Sequence, residues 1–524
     1  MPGRRMLGIA LLAALAATGA RADEAALRKR IEELEEQQRQ FTEQLRELRQ
    51  QLERQQAPAA AAPAPAPVVA PVPAPAVPAS VPSPAPAVAA PAPLSPAVPG
   101  EAQPDRVEEV ERKTGILTEE IRKIREFLVL PETQELKGYY GLGPAASKVY
   151  GVQRGLSIGG YGETNFNKVV ENGNGTSDNF DFVRLVAYLG YKFNDWIVFN
   201  SEIEFEHATT ASTVSAGSGS VSVEMANLDF LLHPAANARA GLVLVPIGFI
   251  NEVHEPPFYL GNVRPPVETQ VIPTTWRANG VGLFGQLLPG LEYKAYGITS
   301  LDAEGYRTLN LRTARQNGNR ELASDWSFVG RVDYAPLADW SFGGSMLLGD
   351  QGQNQNYGNE DIGFSKVGVF TQIYEIHTQV QTQGLWFRAL GTTVLVDDAG
   401  VLSRDDAIQE SQCGAMAEPP FTDCPPIGKV LLGAYAEVAY DIMPFFLPET
   451  AQYLAPWFRY SWLDTNNRVA KGFHRDQAAR RDFYEFGLQY KPIPQVVLKA
   501  DYHIQDAEEG TLPYELRLGG GFVF

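Results

Sequence analysis

From Gly155 to Phe524, apolar and polar residues alternate in short runs. Successive side chains of a strand point to opposite faces, so a period of two predicts strands with one apolar and one polar face. Sixteen such segments can be marked, at 155–166, 179–193, 196–207, 221–232, 238–246, 279–288, 291–300, 325–334, 340–349, 366–378, 384–396, 430–441, 453–462, 482–491, 495–505 and 513–524. In the second, Val183, Leu185, Ala187, Leu189, Tyr191 and Phe193 share one face, opposite Arg184 and Lys192. In the third, Ile197, Phe199, Ile203 and Phe205 oppose Asn200, Glu202, Glu204 and Glu206, and in the fifteenth Leu498, Ala500, Tyr502 and Ile504 oppose Lys499, Asp501 and His503. Connections alternate too. Short turns such as Asn194-Asp195, Pro289-Gly290 and 492–494 alternate with long polar loops such as 208–220, 247–278, 301–324, 397–429 and 463–481.

Short turns at one end and long loops at the other predict an all-β transmembrane barrel of 16 antiparallel strands, spanning 155–524. A charge facing lipid at mid-depth costs about 2–4 kcal/mol, so the polar faces are expected to line a lumen. A lumen of that strand number is wide enough for an aqueous channel. The even count places both ends on the side of the short turns.

The first 154 residues follow other patterns. Arg4 and Arg5, an apolar run and Ala20-Arg21-Ala22 predict a signal peptide over 1–22. Leu27, Ile31, Leu34, Gln38, Phe41, Leu45, Leu48 and Leu52 form a heptad seam, predicting a self-associating coiled coil over 23–56. Residues 57–104 are nearly all Ala, Pro and Val, a semi-rigid linker reaching on the order of 100 Å at about 3.1 Å per residue. Val107, Val110, Thr114, Leu117, Ile121, Ile124 and Leu128 predict a second short coil over 105–130. The lead-in segment, 131–154, holds GYYGLGPAASKVYG at 138–151, which reads neither as helix nor as strand; a plug is one expectation for it. Two coils and a spacer predict a periplasmic stalk beneath an oligomer.

Composition narrows the function. A net charge of −18 argues against nucleic-acid binding. After residue 22 no run approaches the roughly 20 apolar residues of a membrane helix. Two cysteines and six scattered histidines give no metal spacing and no haem attachment sequence, so no metal and no cofactor are expected. Cys413 and Cys424, in the longest loop, are expected to form a disulfide in an exported chain. Gly155-Leu156-Ser157-Ile158-Gly159 matches GxSxG, but it sits in the first strand, whereas a nucleophile elbow needs a strand–turn–helix context. No catalytic residue is assigned and no enzyme is expected.

The terminal strand ending in Phe524 resembles the C-terminal signal that the barrel assembly machinery reads in bacterial outer-membrane barrels. With GLVLVPIGFINEVHEPPF running from the fifth strand into the long loop 247–278, the chain resembles the phosphate-selective porin O and P family over roughly 150–524. The resemblance implies a trimeric sixteen-stranded porin whose 247–278 loop narrows the lumen. Glu252, His254, Glu255, Arg264, Glu268 and Arg277 would then form a constriction of mixed charge.

The wall departs from an anion ladder. Lumen-side acids are Glu163, Glu202, Glu204, Glu206, Glu292, Asp333, Glu375, Glu437, Asp441, Glu485 and Asp501; bases are Arg184, Lys192, Lys294, Arg331, Arg388, Arg459 and Lys499. Eleven against seven predicts weak cation preference or none. The expectation is an outer-membrane porin passing small hydrophilic solutes by diffusion, trimerised by its stalk, with lipid, itself and the assembly machinery as partners. The alternative is a structural tether from outer membrane to peptidoglycan, with the barrel as anchor.

Overall fold

The computed structural model describes residues 136, 138–173, 178–209, 219–413 and 424–524. The expected signal peptide, both coils and the linker lie outside the described residues. The strands are β1 Gly155–Glu171, β2 Asn179–Lys192, β3 Ile197–Glu206, β4 Val221–His233, β5 Ala236–Leu244, β6 Arg277–Leu288, β7 Leu291–Thr299, β8 Trp326–Leu337, β9 Trp340–Gly349, β10 Asn356–Asn359, β11 Gly363–Lys366, β12 Thr371–Thr382, β13 Leu385–Val396, β14 Val430–Tyr440, β15 Tyr453–Arg468, β16 Arg480–Ile493, β17 Val496–Ala507 and β18 Tyr514–Val523. Sixteen of them close into one antiparallel barrel, while β10 and β11 form a separate hairpin.

Closure is made by β18 on β1, with Val523 opposite Tyr161 and Arg517 opposite Asn167. Beyond β18, Phe524 exchanges two backbone hydrogen bonds with Gly160, and a Cβ on Gly160 would stand 2.7 Å from the Phe524 ring. The alternation holds along the barrel. Leu156, Ile158, Leu185, Phe205, Phe342, Ile376, Leu498, Leu518 and Phe522 are exposed on the outside, while Glu202, Glu204, Arg459, Lys499 and Asp501 are buried within. An apolar outer band over a charged interior is the pattern of a barrel surrounded by lipid. No helix among the described residues is long and apolar enough to cross a membrane.

β1 and β15 run past their expected ends at 166 and 462, to Glu171 and Arg468, and two local features also depart from the expected strands. The register passes from Glu163↔Arg184 to Asn165↔Asp181, so Phe182 and Val183 together face Thr164 in a bulge. Val183 therefore lines the interior beside Arg184 rather than the outer face. The tenth barrel strand begins at Thr371, not at 366, because Gly363–Lys366 pairs back on Asn356–Asn359 and the left-handed turn at Val369 intervenes.

The interior is not empty. Val245 to Trp276 joins β5 to β6 and is buried over most of its length. From the long-loop side, Leu301, Tyr306, Leu311, Tyr357, Leu402, Ile408 and Ile427 pack with its Ile247, Val267, Val271, Ile272 and Trp276 in one apolar cluster. Residues 138–152 lie inside the wall beneath it, ending in a short helix α1, Lys148–Gly151; Leu142, Ala145, Ala146 and Val149 are buried. In the loop after β13, helix α2 (Asp406–Cys413) ends at Cys413, which is disulfide-bonded to Cys424 across 6.1 Å between Cα atoms.

Candidate pore constriction

The loop from Val245 to Trp276 carries Pro246, Pro256, Pro257, Pro265, Pro266 and Pro273, which lack the amides for regular structure. Folded into a barrel, its carbonyls need donors from elsewhere. Wall cations supply them. Lys499 Nζ donates to Tyr259 O at 3.0 Å and Gly261 O at 2.7 Å. Arg459 Nη2 donates to Leu260 O at 2.7 Å, and Lys491 Nζ to Pro257 O at 2.6 Å. Arg331 donates to Gly248 O. Side chains complete the attachment. Tyr259 Oη donates to Glu163 at 2.6 Å, Asn262 N to Asp501 at 3.0 Å, Tyr435 Oη to Glu268 at 2.6 Å and Lys294 Nζ to Glu252 at 2.5 Å. The Arg388 guanidinium lies 4.3 Å from the Phe249 ring centroid. The loop is thus fastened to strands on opposite sides of the barrel and crosses the lumen.

Small residues of β18 admit it. A Cβ on Gly521 would lie 2.4 Å from Pro256 Cβ, and one on Gly519 2.1 Å from Asn262 Oδ1. The same run of three glycines that marks the last strand in the sequence is the seat of the loop.

Of the residues expected at the constriction, Glu252, His254, Glu255, Arg264 and Glu268 belong to this loop, whereas Arg277 opens β6 and pairs with Glu224 at 2.7 Å. His254 Nε2 faces Glu202 at 3.0 Å. Burial alone would lower its pKa; the Glu202 carboxylate more than reverses this and holds it above the usual value. Burial pushes Glu255 up to about 7, and this carboxylate accepts from Ala145 N at 3.0 Å and Ala146 N at 3.1 Å. Glu255 therefore binds the 138–151 segment to the underside of the loop. Asn200 Nδ2 donates to Ala146 O at 2.7 Å, and Tyr150 Oη donates to Asp229 at 2.6 Å, itself held by Arg239 through two 2.8 Å bonds.

The expected lumen-wall residues are mostly paired or bonded. Arg184 bridges Glu163 and Glu204 at 2.8 Å each. Arg331 binds Asp333 at 2.7 Å, and Asp333 also binds His377 at 2.8 Å. Lys192 donates to Val152 O at 3.0 Å and Glu206 accepts from Ser220 at 3.0 Å. Lys499 and Asp501 hold the loop, as above. A tally of wall charges by parity thus counts groups that neutralise one another.

Wall acids such as Glu206 and Glu292 make no ion pair with any described residue, and further charges without one lie off the wall. Among the described residues, Arg264, Arg312, Arg315 and Arg481 make no ion pair, and the buried Arg264 Nη2 has no hydrogen-bond partner. They converge on the long-loop side. A cavity of about 350 Å³ is lined by Arg184, Tyr259, Asn262, Arg264, Gln270, Arg312 and Arg517, with Glu163, Glu485 and His503. A more open one of about 520 Å³ adds Arg315, Asn310, Thr313 and Asn317. Burial and the guanidiniums of Arg264 and Arg184 lower Arg312 to about 10; burial and Arg312 lower Arg315 to about 9. On the short-turn side a separate cavity of about 520 Å³ is lined by Tyr139, Tyr140, Asp195, His233, Phe284, Glu292 and Lys294. Sequence reasoning missed Arg312 and Arg315 because they stand in a loop, where period-two alternation assigns no side. Ser157 lies within β1 and is buried toward the interior.

A protein of Aquifex aeolicus (strain VF5), described as uncharacterized, is 35% identical over 393 residues, covering 74% of this chain and 84% of that one. The chain belongs to the family of this Aquifex protein. No family model matches it. Among solved structures, OmpF of Salmonella typhi in complex with daunomycin has a TM-score of 0.46 at 11% identity, over 71% of this chain and 98% of that chain. The outer membrane channel DcaP of Acinetobacter baumannii gives 0.43 at 11% identity, over 70% and 97%. An anion-selective porin from Comamonas acidovorans gives 0.42 at 11%, over 70% and 99%.

Proposed function

We propose that this protein is an outer-membrane diffusion channel for small hydrophilic solutes, with its selectivity set at the loop that crosses the barrel and directed toward anions. The observation that carries this reading is a group of arginines without an ion pair on the long-loop side of that loop: Arg264, Arg312 and Arg315 line the two cavities there, and Arg481 reaches Gln270, which lines both. Fixed cations in a partly dehydrated passage offset the hydration an anion loses. The sign is opposite to the one the wall tally predicts, because the wall charges are largely spent on one another and on the loop. The phosphate-selective porin resemblance agrees with this sign. No chemistry is part of the reading. The stalk expected over 23–130 would align a trimer.

Single-channel recording of the mature protein in planar bilayers under a salt gradient tests it. Stepwise openings with a reversal potential on the chloride side are expected, moving toward the cation side in R312E/R315E. Cation selectivity in the unaltered channel would overturn it.

A second reading, the tether, is favoured by the 138–151 segment, which enters the lumen on the short-turn side and is bound there. Deleting 23–130 separates the two: a channel keeps its conductance, whereas a tether loses envelope integrity.

A further inference from the structure

Between the loop and the wall, Glu202 of β3, Glu224 of β4 and His254 bring one donor atom each to within 4.8 Å of one another, and all three side chains are buried. The His254 tautomer is set from behind. Its Nδ1 lies 3.2 Å from Asn251 O, an acceptor only, so Nδ1 carries hydrogen and Nε2 is turned to the carboxylates. Nε2 stands 3.0 Å from Glu202 Oε1 and 3.9 Å from Glu224 Oε2. Without a cation between them, a lone pair would face two acceptors.

A proton on Nε2 answers only part of this. It satisfies Glu202 Oε1 and leaves Glu202 Oε2 and Glu224 Oε2, both buried, with no hydrogen-bond partner. Buried carboxylate oxygens without partners are costly. Of the two carboxylates, Arg277 compensates one, through Glu224 Oε1 at 2.7 Å. A second positive centre among Nε2 and the free oxygens would satisfy all of them at once.

We propose that Glu202, Glu224 and His254 form a binding site for a divalent transition-metal ion of the zinc class, which ties the lumen-crossing loop to β3 and β4. One imidazole and two carboxylates suit such an ion better than calcium or magnesium, which take oxygen ligands alone. Tetrahedral ligands at 2.0–2.1 Å lie about 3.3 Å apart, between the 3.0 and 3.9 Å found here. The Asn251 carbonyl behind Nδ1 is the usual outer partner of a metal-bound histidine. His254 adjoins Glu255, the anchor of the 138–151 segment, so the ion would stiffen the constriction at its centre. The site does not depend on the channel reading, since its test needs only the folded barrel.

The folded full-length mature protein, stripped with EDTA and dialysed, is titrated with Zn²⁺ by calorimetry and with Co²⁺ by visible absorption. One ion per chain is expected, with the intense Co²⁺ bands of a low-coordinate nitrogen–oxygen site. E202Q/E224Q and H254Q are expected to lose more than ~100-fold in affinity, beyond what an outer partner supplies, while H474A binds as the parent does. Absence of stoichiometric binding in the parent protein, a Co²⁺ spectrum of the hydrated ion, or unchanged affinity in E202Q/E224Q would overturn the proposal. The parent Co²⁺ spectrum decides the matter even where a variant does not fold.

Discussion

Glu255 makes the stability of the folded barrel depend on pH. Its carboxylate receives two amides, from Ala145 and Ala146, and each such bond to a charged acceptor is worth roughly 1.5–3 kcal/mol. Burial acts against the charge and lifts the pKa from 4.5 to about 7. At 1.36 kcal/mol per pH unit this gap corresponds to about 3 kcal/mol at most, of the same size as the bonds themselves. The sign follows from proton uptake. The folded barrel binds this proton more tightly than the unfolded chain, so the contribution to stability is largest below pH 4.5 and is lost as pH rises to about 7. Above that it is smallest, since the charged form must be buried.

Glu255→Gln keeps an acceptor oxygen of the same shape without the titration; Glu255→Ala removes it. Denaturant unfolding of the detergent-solubilised barrel, followed by tryptophan fluorescence across pH, reads this contribution. Relative to E255Q, the unfolding free energy of the parent barrel is expected to fall between pH 5 and 8, by up to about 3 kcal/mol. E255A, which leaves the two amides without an acceptor, is expected to be less stable than E255Q throughout. A parent-minus-E255Q difference independent of pH, or E255Q as unstable as E255A, would refute this account of the carboxylate.

Three other outcomes follow from the same geometry. Gly521→Leu would force a side chain into Pro256, whose Cβ is 2.4 Å from the added Cβ position; the barrel is expected to close but its conductance to rise as the loop lifts, measured in planar bilayers. Arg459→Met leaves Glu437 and Glu485 buried without the guanidinium that contacts them at 2.8 and 3.1 Å; a loss of about 3–5 kcal/mol is expected, seen as a lower temperature of conversion between folded and unfolded bands on gels. Cys413→Ser with Cys424→Ser opens the ring in the loop after β13 and removes roughly 3 kcal/mol of local constraint; limited proteolysis within 397–429 should accelerate without change in the barrel core.

The barrel was legible because its signal is local. A strand declares itself through residues two apart, and a mistake arises only where the period breaks. The Phe182–Val183 bulge turned one valine inward, and the 356–366 hairpin displaced the start of β12. The constriction was half legible. A long loop after the fifth strand, carrying Glu252, His254, Glu255, Arg264 and Glu268, can be read off the chain, but its partners cannot. Lys499 and Gly261 are 238 residues apart, Glu255 and Ala145 are 110, and His254 and Glu202 are 52. Charge is the property most distorted by that distance. Parity assigns a lysine or glutamate to the lumen and cannot show that it is already occupied. Lys499, Arg459 and Lys294 count as free wall cations by alternation, yet each is committed to a carbonyl or carboxylate of the loop. What a charged solute in the lumen would meet is the remainder after pairing. In this barrel the remainder includes Arg264, Arg312, Arg315 and Arg481 on the long-loop side and wall acids such as Glu206 and Glu292, which make no ion pair with any described residue; Arg312 and Arg315 stand in a loop that no periodicity describes.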